Sequence, residues 1–239
     1  MPPADILSSI DAFCVDAMGT CTDWRGTVPR EIRARAPHLS DEDAHAFAED
    51  TRIANGGDGP LSADVLHREI LDALLASLRW SALGAQWDAQ AREELVLVWH
   101  RLDAWPDASQ GLRGMKAHKL LVTWRVTIPH PPPNANSERQ ARHADFPWDV
   151  VLSSELFGTY KPNEKVYRAA AHHLALPPAK IAMVAAHVFD LRAAARCGMR
   201  TVYVRRTPEA GDVKSKDDGG EFDVVVDDLD ELAGLLEAK

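Results

Sequence analysis

The chain has 239 residues, and its 27 Lys and Arg against 36 Asp and Glu give a formal net charge of −9. That length suits one large domain, or a core with one insert. The acidic balance argues against a duplex nucleic-acid binder, which needs a clustered basic surface, but leaves room for a local pocket that takes a small anion.

The start, Met1 to Phe13, carries Asp5 and Asp11 and no Lys or Arg, unlike a signal or transit peptide. No apolar run approaches the roughly 18 residues of a membrane helix. Three cysteines, Cys14, Cys21 and Cys197, form no CxxC pair. They point to a reducing, cytoplasmic setting without disulfides, with Cys14 and Cys197 packed in the core. Neither a membrane nor a nucleic-acid partner is expected.

Ala12 to Val15 is an apolar run ending at Asp16, followed by Gly19 and Thr20, and reads as a buried strand entering a tight loop. From about residue 27 to 104 the character changes. Asp41 to Asp50 is acidic and Ala-rich. Val65, Leu66, Ile70, Leu71, Leu74, Leu75 and Leu78 recur at helical spacing, as do Leu95, Val96, Val98 and Leu102. At least three helices and no strand are predicted there, with Asn55 to Pro60 breaking the first helix from the second.

Beyond Trp105-Pro106-Asp107 strands return, at Leu120–Thr123, Asp149–Leu152, Ile181–Val184, Thr201–Val204 and Phe222–Val226. Helices are predicted over Val166–Leu174, over Asp190–Cys197 with Gly198 as its stop, and over Asp228–Leu236. This alternation predicts a doubly wound α/β sheet. Trp124 to Gln140, with three consecutive prolines, fits neither helix nor strand. It is either an extended loop or an aberrantly encoded segment such as a mis-joined exon, and sequencing the transcript distinguishes the two.

Ligands of such sheets bind beyond the carboxyl ends of the strands, where Asp16 and the residues after Val184 lie. A carboxylate there can act as a nucleophile that forms an ester intermediate, or it can be purely structural. Lys161, in Thr159-Tyr-Lys-Pro-Asn163, can hold a carboxylate ionised and balance an anionic substrate, or it can be a solvated surface side chain. Asp190 can orient Lys161 or a water, or serve as a charge in the first turn of its helix.

The order of these groups, with the helical stretch directly after Asp16, resembles the haloacid dehalogenase superfamily and within it the (S)-2-haloacid dehalogenase branch. The matching segments are Asp16-Ala-Met-Gly-Thr20 with Asp23-Trp-Arg-Gly26, Phe47 to Arg52, Val98 to Asp107, Arg142 to Asp149, Glu155 to Pro162 and Val184-Ala-Ala-His187. The resemblance spans nearly the whole chain. It implies a Rossmann-like doubly wound parallel sheet core, residues 1–23 and 106–239, with an inserted α-helical cap, residues 24–105, and it makes a homodimer plausible.

It further implies that Asp16 attacks the α-carbon of a 2-haloalkanoate and expels halide. Water oriented near Asp190 then hydrolyses the aspartyl ester to a 2-hydroxy acid of inverted configuration. Lys161 would hold Asp16 and the substrate carboxylate, Arg52 would bind the halide, and Tyr167 matches a Tyr of the family that would donate from behind the reacting groups, or else it is a core Tyr with a satisfied hydroxyl. The superfamily's phosphatases carry a second Asp two residues after the nucleophile; here that residue is Met18, which moves no proton.

Acidic metal ligands of the last motif are replaced by Ala185, Ala186 and His187. Asp16 and Asp190 alone make a poor Mg²⁺ site, so no metal and no cofactor is expected. The branch also places Ser-Asn after the second core strand and Ser and Asn in the last motif. Here Thr123 is the best candidate for the first hydroxyl, Asn134-Ala-Asn136 is displaced, and Ala185 and His187 fill the last motif, His187 as a base, as a hydrogen-bond partner of the water or as a structural variant. Thr20 completes the expected substrate-facing set. A catalytically impaired or non-catalytic member, or a phosphate-ester hydrolase, are the alternative readings.

Overall fold

The computed structural model describes residues 2–51, 63–125, 146–153, 157–207 and 212–237. Arg52, Asn55 to Pro60 and Asn134 to Asn136 lie outside them, as does the proline tract. The core is one six-stranded sheet. Its strands are β1 (Ala12–Val15), β4 (Leu120–Arg125), β5 (Val150–Ser153), β6 (Ile181–Ala185), β7 (Arg200–Val204) and β8 (Val224–Val226), in the order β5-β4-β1-β6-β7-β8. All five pairings are parallel.

Side chains leave a strand alternately on its two faces, and both faces of this sheet are covered. Phe13, Val15, Leu121, Val184 and Val204 join a cluster with α1 (Pro3–Ser9), α7 (Ala108–Lys116) and α10 (Leu229–Glu237). Cys14, Val122, Met183, Ala185 and Tyr203 join one with α8 (Glu164–His173) and α9 (Val188–Arg196). Burial on both faces is why β1 and β6 read as unbroken apolar runs rather than alternating ones. Helix α9 ends at Gly198, whose φ of +85° is the left-handed geometry that stops a helix at little cost to glycine. All three cysteines are free and buried.

The predicted strands and the three core helices are present within a few residues of their expected bounds. Two helices of the core were not expected, α1 and α7. Helix α7 contains Gly111 and Gly114, which weaken the sequence signal for a helix but let it approach α10. A Cβ on Gly111 would lie 2.5 Å from the backbone carbonyl carbon of Leu229, and one on Gly114 would lie 2.7 Å from Ala233 Cβ. Replacing Gly111 by Ala therefore separates the helices. An overpacking cost of about 1–3 kcal/mol is expected, read as a lower thermal midpoint with the fold retained; an unchanged midpoint would mean the two helices part freely.

Between β1 and β4 the chain forms α2 (Trp24–Arg35), α3 (Asp41–Asp50), α4 (Ala63–Leu75), α5 (Ser81–Gln86), α6 (Ala89–Val96) and a 3-10 turn over Leu97–His100. Side-chain caps start three of them. Asp23 accepts from the Gly26 N–H, Ser40 from the Asp43 N–H and Asp88 from the Ala91 N–H. These helices enclose a separate apolar cluster around Trp24, Phe47, Trp80, Trp87 and Trp99. A strand pair, absent from the sequence expectation, closes the insert: β2 (Thr22–Asp23) runs antiparallel to β3 (Asp103–Ala104). Two-residue strands carry no periodicity to detect. Among the described residues no helix is long and apolar enough to cross a membrane.

Within this insert His67 is buried and stacked on Trp99, with ring centroids 4.5 Å apart. Its Nδ1 lies 3.4 Å from the Thr51 carbonyl oxygen, and its Nε2 has no hydrogen-bond partner among the described residues. Burial, only partly opposed by Thr51 and Asp64, pushes its pKa down to about 4. The folded state thus resists a proton that the unfolded chain accepts near pH 6.5. Stability is unaffected well above pH 6.5 and falls as the pH drops toward 4, by about 3 kcal/mol in total. Urea midpoints measured at pH 7 and pH 4.5 should show that loss, and His67→Phe should flatten it. Equal acid sensitivity in both proteins would place the effect elsewhere.

Candidate active site

The sheet reverses its winding between β1 and β6, so the crevice beyond their carboxyl ends is the expected ligand position. Asp16 follows β1 and is tied to β6 by its own N–H, which donates to the Val184 carbonyl at 2.9 Å. The loop then turns back on itself, with the Cys21 and Thr22 N–H groups both donating to the Ala17 carbonyl, at 2.9 and 3.1 Å. Gly19 permits this turn. Its φ is +86°, and a Cβ there would lie 2.8 Å from His187 Nε2. The turn aims the Thr20 hydroxyl at Asp16, where it donates to Oδ2 at 2.9 Å while accepting the Ala186 N–H at 2.8 Å.

Lys161, in the segment between β5 and α8, reaches across to both core carboxylates. Its Nζ lies 3.3 Å from Asp16 Oδ1 and 2.8 Å from Asp190 Oδ2. A third side is taken by the face of Trp124, 4.3 Å from Nζ to the ring centroid. Burial opposes the charge on Lys161, but the Asp190 and Asp16 carboxylates together outweigh it and hold its pKa above the ordinary range. The ammonium is therefore a fixed cation at neutral pH. Asp190 is almost fully buried in the first turn of α9, and burial pushes its carboxyl up, with Lys161 opposing. The Tyr167 hydroxyl, on α8, donates to Asp190 Oδ1. Tyr167 is thus a buried support for Asp190 rather than a direct substrate contact.

His187 begins α9 with its Nε2 3.0 Å from the Met18 carbonyl and 3.8 Å from Asp16 Oδ2. A carbonyl oxygen only accepts, so Nε2 carries the proton in this arrangement and is not free as a base. The ring stacks on Phe189, with centroids 5.4 Å apart. Met18 points toward the insert and packs against the Trp24–Trp99 cluster.

Thr123 differs from expectation. It ends up fully buried, with its hydroxyl donating to the Val15 carbonyl across the sheet at 2.9 Å, so its only proton is committed to the backbone and is not offered to a ligand. Strand β4 continues through Trp124 and Arg125, which places Trp124 over Lys161.

Beside His187 opens a cavity of about 100 Å³ lined by Gly19, Trp24, Arg25, Trp105 and Arg206 among others; Asp16 is not part of its wall. Arg206 and Asp107 form a buried pair there that the sequence reading missed. Arg206 stands 99 residues from Asp107, and only its place just past a strand end could have marked it. Among the described residues no group of three or more His, Cys, Asp or Glu gathers as a metal site. The cation between Asp16 and Asp190 is the Lys161 ammonium.

Asp16, at the end of β1, thus has the Thr20 hydroxyl, the buried Lys161 ammonium and, beyond it, Asp190 of α9 around it. The model of one family, haloacid dehalogenase-like hydrolase, matches residues 10–198. The chain belongs to that family.

Relatives of this haloacid dehalogenase-like hydrolase include the (S)-2-haloacid dehalogenase 4A of Burkholderia cepacia. It is 27% identical over 120 residues, 48% of this chain and 49% of the relative. The (S)-2-haloacid dehalogenase H-109 of Pseudomonas putida is 26% identical over 126 residues, 52% of this chain and 54% of the relative. The chain spans about half the length of these curated relatives in the matched region.

Solved structures align more fully. The L-2-haloacid dehalogenase PA0810 is 32% identical with a TM-score of 0.73, over 95% of this chain and 99% of that one. The defluorinating L-2-haloacid dehalogenase Rha0230 is 31% identical with a TM-score of 0.74, over 96% of each. The parallel sheet and the helical insert are thus those of the haloacid dehalogenase fold.

Proposed function

We propose that this chain hydrolyses (S)-2-haloalkanoic acids to 2-hydroxy acids through an ester on Asp16, with residues 24–105 acting as a cap over the core. The observation that carries the reading is the Asp16–Lys161–Asp190 arrangement, a carboxylate nucleophile held beside a buried, permanently charged ammonium. Relatives acting on haloacids support it.

In the first step an Asp16 oxygen forms a bond to the α-carbon, and the carbon–halogen bond breaks with its electron pair leaving as halide. Thr20 fixes Oδ2, so Oδ1, in looser contact with Lys161, is the freer oxygen. In the second step water adds through its oxygen to the Asp16 carboxyl carbon and the ester bond to the hydroxy acid breaks; one water proton passes to the departing alkoxide and the other to solvent, restoring the carboxylate. Lys161 stabilises negative charge through both steps at no reorganisation cost, and Asp190 keeps Lys161 in place. Halide departs without a proton, so Met18 at the position of the phosphatases' second Asp is no handicap to this chemistry. The substrate is a small anion, whose carboxylate Lys161 can also face.

Chloride release from (S)-2-chloropropionate, with no added metal and Asp16→Asn run alongside, tests the reading. Release that disappears in the variant supports it. A folded protein that releases no chloride overturns it and favours the impaired-member reading, to which the committed hydroxyl of Thr123 would then contribute. Magnesium-dependent release of phosphate from esters would instead indicate the phosphatase alternative.

A further inference from the structure

The dehalogenase reading uses Asp16, Lys161 and Asp190 but leaves a buried ion pair on the other side of the nucleophile loop unexplained. Arg206, in the segment leaving β7, is 7% exposed, and Asp107, in the segment returning from the helical insert, is 11% exposed. The pairing is two-pronged, Nη1 to Oδ1 and Nη2 to Oδ2, both at 2.8 Å. Asp107 Oδ2 also accepts the Leu229 N–H at the start of α10, at 2.8 Å. Burial opposes the Asp107 charge, but Arg206 and Leu229 outweigh it and hold the carboxyl below its ordinary range. The indole of Trp105 covers the guanidinium, 5.3 Å from ring centroid to Cζ.

This unit grips three consecutive carbonyls of the nucleophile loop. The Gly19 carbonyl accepts the Trp105 indole N–H at 3.2 Å, the Thr20 carbonyl accepts Arg206 Nε–H at 2.8 Å, and the Cys21 carbonyl accepts the Trp105 backbone N–H at 3.0 Å. Thr20 is the residue whose hydroxyl holds Asp16 Oδ2. A buried ion pair gives little net stability over an apolar replacement. What this one does supply is the place of the loop.

We propose that Arg206, braced by Asp107 and Trp105, is a positioning residue for the nucleophile: it fixes the Thr20 backbone so that the Thr20 hydroxyl stays on Asp16 Oδ2. The proposal rests on Asp16 as the nucleophile. It also ties the loop to the chain just beyond β3, where the insert rejoins the core.

Arg206→Lys keeps the charge but loses the planar fork. We expect kcat for halide release from (S)-2-chloropropionate to fall about 10- to 100-fold, with KM within about threefold, because orientation of the attacking group rather than substrate binding is disturbed. Thr20→Val should slow the reaction too, and the double variant should be no slower than the slower single one, since both act through the same hydroxyl. Multiplying effects, a raised KM with unchanged kcat, or wild-type kcat in a folded Arg206→Lys protein would each overturn the proposal. Trp105→Phe, which loses only the indole N–H, serves if Arg206→Lys does not fold, with an expected drop in kcat of about fivefold; an unchanged kcat there counts against the proposal.

If the wild-type protein releases no halide, that failure belongs to the dehalogenase reading, and the loop is read without substrate by amide hydrogen exchange. Faster exchange confined to residues 17–22 in Arg206→Lys and in Trp105→Phe supports the clamp. Unchanged exchange, or a uniform increase across the sheet, overturns it.

Discussion

Asp16→Asn is expected to lower halide release by at least about a thousandfold, because on the proposed mechanism the substitution removes the nucleophile and leaves an isosteric, uncharged amide in its place. The surrounding groups should hold. Lys161 keeps its shorter contact, 2.8 Å to Asp190 Oδ2, and the Thr20 hydroxyl can still donate to an amide oxygen, so the variant should fold. A companion measurement separates a nucleophile from a base that merely activates water. In a single turnover in ¹⁸O-water, a covalent Asp16 ester puts the label first into the Asp16 carboxylate and not into the hydroxy acid. Label appearing directly in the product, or release in Asp16→Asn within tenfold of wild type, would remove Asp16 from the first step.

The second large effect concerns Lys161. Its side chain is 15% exposed, Asp16 is likewise 15% and Asp190 1%, so the three charges share a site with little water to screen them. Lys161→Met keeps the aliphatic volume and removes the cation. Two carboxylates then face each other without a counter-ion. Loss of one member of a buried pair costs about 3–5 kcal/mol, and we expect the urea midpoint to fall accordingly while halide release drops below detection.

Because the folded pKa of Lys161 is raised, its contribution is complete below the ordinary lysine value. It is lost only as the pH climbs through the higher folded one. Comparison at pH 7 to 8 therefore reads the full effect. Adding Asp190→Asn should return much of the stability by removing the stranded charge, but none of the activity. A Lys161→Met protein as stable as wild type would mean that the carboxylates find another partner.

Asp16 and Asp190 were legible as candidates because each follows an apolar run that reads as a buried strand, while their roles came from the resemblance. Ala12–Val15 delivers Asp16, and Ile181–Ala185 delivers His187 and Asp190. Lys161 was legible through its Lys-Pro block. What escaped has physical reasons. The Thr123 hydroxyl was legible as a residue type, but whether its proton faces a ligand or the neighbouring Val15 carbonyl depends on strand register. Helix α7 was hidden by the glycines that let it sit against α10. Trp124 looked like the start of an irregular tract, yet its ring face closes the third side of Lys161. The Arg206–Asp107 pair joins residues far apart in the chain, and neither has a neighbour in sequence that announces the other. Arg52 lies outside the described residues, so its expected meeting with a halide rests on the resemblance alone.

The short β2–β3 ladder has a consequence for how such a chain can diversify. Thr22 sits opposite Ala104 and Asp23 opposite Asp103, so the stretch that departs from the core and the stretch that comes back are already side by side. Whatever lies between them is a loop whose ends are fastened, and lengthening such a loop is cheap, about 0.6 kcal/mol per doubling. The helices from Trp24 to His100 also carry their own apolar cluster. If the insert caps the core as proposed, a different set of helices grafted onto the same two-rung stem would change which molecules reach Asp16 while the hydrogen bonds of Asp16 to Thr20, Lys161 and β6 stay in place.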